Sequence, residues 1–96
     1  MDLRKQWPIL DELCRCAERF PGLEVWAFGS MLRSDRPHDL DILIVYNDRT
    51  DVVALREMGF WEVTVPTVDI IAMTPDEEHH YQFINATGAL RVHPPF

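Results

Sequence analysis

Two aspartates separated by one residue, Asp39-Leu40-Asp41, open an aliphatic run, and a third, Asp69, stands second in another run, Val68-Asp69-Ile70-Ile71-Ala72-Met73. Residues i and i+2 of a strand project from one face, so Asp39 and Asp41 point together while Leu40 and Ile42 point the other way. Two adjacent carboxylates repel each other unless a cation neutralises them. Hard oxygen ligands of this kind suit Mg²⁺, commonly held by one or two carboxylates plus substrate phosphates. Taken alone, a D-x-D triplet is more often a solvated residue pair at a strand start. Asp69 adds weight, because an unpaired charge in an apolar strand is costly to bury and needs a partner or a metal.

Upstream lies Phe28-Gly29-Ser30-Met31-Leu32-Arg33-Ser34. Glycine lets the backbone approach a phosphate closely, and the Ser30 hydroxyl with nearby N–H groups can bond its oxygens. The plainer reading of Gly29-Ser30 is a turn that ends a strand. Arg33, taken alone, reads as a solvated loop arginine.

The elements that must position these residues follow from the apolar periodicity. Ile9, Leu10, Leu13, Cys14, Ala17 and Phe20 recur at helical spacing between residues 6 and 20, with Pro8 in the first turn and Pro21-Gly22 as the stop. Residues 24–28 and 40–46 read as strands, and their near-continuous apolarity predicts burial on both faces. Residues 51–58 read as a short helix capped by Thr50 or Asp51, and residues 61–65 as a strand or an extended connection ended by Pro66. Residues 68–73 form a third strand. Thr74-Pro75-Asp76-Glu77 is a helix start with a capping box, predicting a helix over 75–86 that Gly88 ends, and residues 89–92 form a last short strand.

The spacer from Gly29 to Asp39 is short, so the first two strands are expected antiparallel, with the Gly-Ser turn beside the start of the acidic strand. Residues 46–68 leave room for a helical crossover. The third strand is then parallel to the second, and Asp69 returns to the same end of the sheet.

Gly-Ser, a short spacer, Asp-x-Asp and a later strand aspartate together resemble the signature of the DNA polymerase β nucleotidyltransferase superfamily, most closely its minimal nucleotidyltransferases. The resemblance covers residues 25–74. It implies an α/β (α+β) fold in which helices pack on a small mixed sheet. It also implies that Gly29, Ser30 and Arg33 contact the phosphates of an NTP, with ATP the expected donor, and that Asp39, Asp41 and Asp69 ligate Mg²⁺, two ions in all. Asp69 would complete the site near the attacking hydroxyl. Small residues and glycine usually flank the arginine in this family, and a serine usually precedes the first aspartate; Met31, Leu32, Ser34 and His38 stand here instead. Minimal members often work with a helical HEPN-type toxin that they modify as antitoxins. The alternative is a non-catalytic antitoxin or regulatory module that binds without transferring.

Composition narrows the setting. Ninety-six residues, 47% of them hydrophobic, predict one domain. Its small size makes a ligand, a metal or a second copy in a homo-oligomer a useful source of stability. The formal charge of −7 opposes extended contact with a nucleic-acid backbone, which needs Lys and Arg to displace counterions. No apolar run suits a membrane span, and Met1-Asp2-Leu3-Arg4-Lys5-Gln6-Trp7 lacks the apolar stretch of a signal peptide, so a cytoplasmic protein is expected. Cys14 and Cys16 point in different directions on a helix and read as structural thiols. His79-His80 read as surface residues, His38 as a turn residue, and Trp7, Trp26 and Trp61 as packing groups that could also offer a base-stacking face.

Overall fold

The computed structural model describes residues 2–59 and 61–95. Among these, five α-helices and four strands follow in the order α1 (Leu3–Gln6), α2 (Pro8–Ala17), β1 (Glu24–Phe28), β2 (Asp39–Val45), α3 (Arg49–Glu57), β3 (Thr67–Met73), α4 (Pro75–Tyr81), α5 (Phe83–Thr87) and β4 (Leu90–His93). The strands form one mixed sheet in the order β3-β2-β1-β4. β1 is antiparallel to β2 and to β4, whereas β2 and β3 are parallel, joined by α3 as the crossover. This is the expected mixed α+β architecture.

The alternation of side chains sorts the sheet into two faces. Leu10, Leu13, Cys14 and Ala17 of α2 and Val52 and Leu55 of α3 join Val25, Ala27, Leu40, Ile42, Ile44 and Val68 in one buried cluster. The three aspartates occupy the opposite face, because Asp39, Asp41 and Asp69 alternate with Leu40, Ile42 and Val68. Full burial on both faces holds only for the latter part of β2, Ile42 to Val45; along β1 buried and half-buried residues alternate. On the acidic face Phe83 of α5 meets Phe28 edge-on, with ring centroids 4.9 Å apart.

Several local expectations are replaced. α3 starts earlier, with Asp48 as its cap: the carboxylate accepts from Thr50 N at 2.9 Å and Thr50 Oγ1 at 2.7 Å. Those bonds to the ionised form pull the Asp48 carboxyl below its ordinary range. The segment after Gly59 contains a 3₁₀ turn, Trp61–Val63, instead of a strand. The Trp61 indole is buried there and donates to the Leu55 carbonyl at 3.0 Å, tying the segment back to the end of α3. The expected helix over 75–86 is two helices, because Gln82 adopts a left-handed conformation (φ 53°, ψ 38°) that breaks the ladder.

The capping box of α4 forms as read: Thr74 Oγ1 accepts from Glu77 N at 3.1 Å, and the Glu77 carboxylate accepts from Thr74 N at 3.0 Å. Thr74→Ala is expected to cost about 1 kcal/mol, since it removes the Oγ1 that accepts from Glu77 N and leaves only the bond from the Thr74 backbone N–H to the Glu77 carboxylate. Urea denaturation measures it, and an unchanged midpoint would mean that α4 draws no stability from its cap.

Cys14 is buried, Cys16 half-buried, and both are free thiols. Burial pushes the Cys14 thiol up to about 12, which makes it inert as a nucleophile. No helix among the described residues is long and apolar enough to cross a membrane.

Candidate active site

Register brings the acids together. β2 and β3 pair with Asp41 opposite Asp69, and Asp39 opposite Thr67. On neighbouring parallel strands such partners share a face, so the third carboxylate stands beside the second and the first lies two residues back along β2. Asp39 and Asp69 are exposed and Asp41 is half-buried. Partial burial, then the charge of Asp69, then that of Asp39, raise the Asp41 carboxyl above its ordinary range. The site is therefore repulsive when no cation is present.

β1 supplies the other wall. Phe28 is the register partner of Asp41, and the chain then turns through a 3₁₀ turn, Gly29–Leu32. Gly29 has φ +79°, a conformation that favours glycine, and a Cβ placed there would overlap the Asp41 carboxylate and lie 3.2 Å from its Cγ. The close approach that the structure shows at Gly29 is to Asp41.

The rest of the turn explains why its sequence departs from the family pattern. Met31 is buried in the core and Leu32 packs against it, so both anchor the turn where small residues are usual. Their apolarity is the signal in the sequence that points to this anchoring role. The Ser30 carbonyl accepts from Arg33 N at 3.0 Å and from Ser34 N at 2.9 Å, which closes the turn. The side chains of Ser30 and Arg33 are exposed and make no hydrogen bond or ion pair with another described residue, so they are open to solvent. His38 is exposed immediately before Asp39, as a turn residue.

The indoles are placed elsewhere. Trp61 is buried, while Trp26 is half-buried with Nε1 donating to Glu24 at 2.9 Å. Trp7 packs against the core. His79 and His80 are exposed on α4.

The topology, an acid trio at the starts of two parallel strands and a glycine turn against it, is matched by an independent comparison: the family model for the nucleotidyltransferase domain fits residues 10–93. The chain belongs to the nucleotidyltransferase domain family. The match spans both α2 and β4, so it includes every element that builds the site. Comparisons with curated proteins and with solved structures gave no significant match. Membership brings the general chemistry of the family, transfer of a nucleoside monophosphate from an NTP with a divalent metal.

The donor set suits such a metal. Three carboxylates offer oxygen only, and burial, followed by the charges of Asp69 and Asp39, raises the Asp41 carboxyl. Among the described residues no group of three or more His, Cys, Asp or Glu side chains is placed so that it could hold a metal ion by itself. An open carboxylate edge of this sort is the arrangement in which substrate phosphates and water complete the shell of a hard cation.

Proposed function

We propose that this nucleotidyltransferase domain is an Mg²⁺-dependent enzyme that moves an NMP, AMP from ATP, to a hydroxyl. The observation that carries the reading is the in-register pair Asp41 and Asp69 with Asp39 two residues back, closed on its third side by Gly29. Asp39 and Asp41 hold the metal, and Asp69, on the edge strand, completes the set on the side where the acceptor hydroxyl approaches. Gly29 and Ser30 lie against the NTP phosphates, and Arg33 faces the charge that grows on the leaving pyrophosphate. When bound, divalent cations would supply charge neutralisation for the phosphates and acidify the attacking hydroxyl. The protein's own part is to hold three carboxylates adjacent, to bring the backbone at Gly29 close, and to accept the hydroxyl proton at Asp69.

The acceptor we propose is a hydroxyl of a partner protein, with a helical HEPN-type toxin as the partner. Two features support a protein over free nucleic acid. The chain carries 16 acidic against 9 basic residues, and Val63 and Val65, just before β3, are 76% and 98% exposed. An apolar lip of this kind beside an acidic site suits a protein surface better than a phosphate backbone.

The test is transfer of label from α-labelled ATP in the presence of Mg²⁺, with and without the co-purified partner. Asp39→Ala and Asp69→Asn are expected to abolish it while circular dichroism stays unchanged. Equal labelling by both variants would sink the assignment, and Mg·ATP binding without any transfer would return the chain to the role of a binding module.

A further inference from the structure

A second constellation lies at the other end of the parallel strands, unused by the chemistry above. α3 carries Arg49, Val52, Val53 and Arg56 at spacings of three, four and seven residues, which places them along one stripe of the helix. That stripe, with Tyr46 just after β2 and Ala72 near the end of β3, lines a depression of about 460 Å³. Its volume lies within the range of small-molecule pockets, about 300 to 1,000 Å³.

Its electrostatics are unusual for so acidic a chain. Two of nine basic residues meet there, and no carboxylate is among the lining residues. Neither arginine forms an ion pair with another described residue. Arg56 Nη2 donates to the Ile70 carbonyl at 3.2 Å, which fixes one edge of its guanidinium and leaves the remaining donors open. Of the acids adjacent in sequence, Asp48 accepts the cap bonds from Thr50, and Glu57, next to Arg56, projects from a different side of the helix. Asp51, two residues beyond Arg49, projects from a different side of the helix.

We infer that this depression is a second anion site, for a ligand bearing a di- or triphosphate. Arginine forks match phosphate oxygens, and the two Cα atoms stand about 10 Å apart by helical rise, a span suited to linked phosphates more than to a single one. The exposed Val53 and the Tyr46 ring offer an apolar floor and a ring face for the body of the ligand. The site is separate from the aspartates. Tyr46 lies about 17 Å along the strand direction from Asp41 and belongs to the opposite face of the sheet.

The experiment is an amide NMR titration of the whole chain with pyrophosphate and with tripolyphosphate, in EDTA so that no metal bridges phosphate to the three aspartates. The expected result is saturable shifts at residues 46–56 and 70–73, weakened about tenfold or more in Arg49→Gln/Arg56→Gln and unchanged in Asp41→Asn. The double variant's own amide spectrum reports whether it is folded, and Arg49→Gln alone, at an exposed side chain, gives the same reading should the pair fail. Shifts that do not saturate at millimolar ligand, that centre on residues 29–41, or that persist in the folded arginine variants would overturn the site. A response only to an acidic partner protein, with none to either phosphate, would overturn it too.

Discussion

Gly29→Ala is expected to lose nearly all label transfer and to lower the melting temperature. Two costs combine at this position. At φ +79° an L side chain meets its own backbone, a strain of about 1–2 kcal/mol. The new Cβ also overlaps the Asp41 carboxylate, so that group must leave the place where it faces Asp69. For a domain of this length each kcal/mol lowers the midpoint by about 4–8 °C. Gly88→Ala supplies the comparison: Gly88 also has positive φ, but nothing lies within 4 Å of its Cβ. Thermal melts of both variants should drop, whereas label transfer should collapse only for Gly29→Ala. Equal activities would mean that the contact between Gly29 and Asp41 is irrelevant to the chemistry.

Asp41→Asn should move activity and stability in opposite directions. Label transfer falls by at least about 100-fold, the scale of losing a group that organises transition-state charge. Stability without divalent cation rises. Burial, Asp69 and Asp39 hold the Asp41 carboxyl above its ordinary range, so ionising it costs more in the folded chain than in the unfolded one. That contribution to stability is fully present below the unfolded pKa, about 3.9, and is lost as pH rises through the folded value. At neutral pH in EDTA the asparagine variant should therefore melt above the parent, and the gap should close on acidification below that range. Mg²⁺ should raise the parent and narrow the gap from the other side. A variant that melts below the parent in EDTA would show that the three charges do not strain the site.

The strand pattern and the crossover were legible because each rested on a strong local signal. Aliphatic runs mark β2 and β3, and the short spacer after Gly29 favours an antiparallel return. Together they place three acids distant in sequence at one sheet end. What the sequence did not reveal depended on competition or on tertiary contact. Asp48, Thr50 and Asp51 are all good caps, and only the geometry shows Asp48 taking the role. No Gly or Pro announces the break at Gln82. Trp61 abandons a strand because its indole reaches the Leu55 carbonyl. Met31 departs from the small residues usual in such a turn because it is buried as the turn's anchor. The arginine stripe of α3 is periodic in sequence, but the depression it lines needs Tyr46 and Ala72 from two strands.

The pairing of Asp41 with Asp69 also bears on when, during folding, this site comes into being. β1 and β2 are joined by a short connection, and their antiparallel register already sets Gly29 beside Asp41. Asp69 arrives only when β3 joins β2 in parallel, across the whole of α3 and the 3₁₀ turn after it. Loop-closure entropy makes that longer-range pairing the more demanding of the two. A chain that has formed only its local hairpin holds two carboxylates and a glycine, but not the third acid. The complete acid trio thus requires the β2–β3 crossover as well as the local hairpin, whereas the still longer pairing of β1 with β4 adds no acid to it.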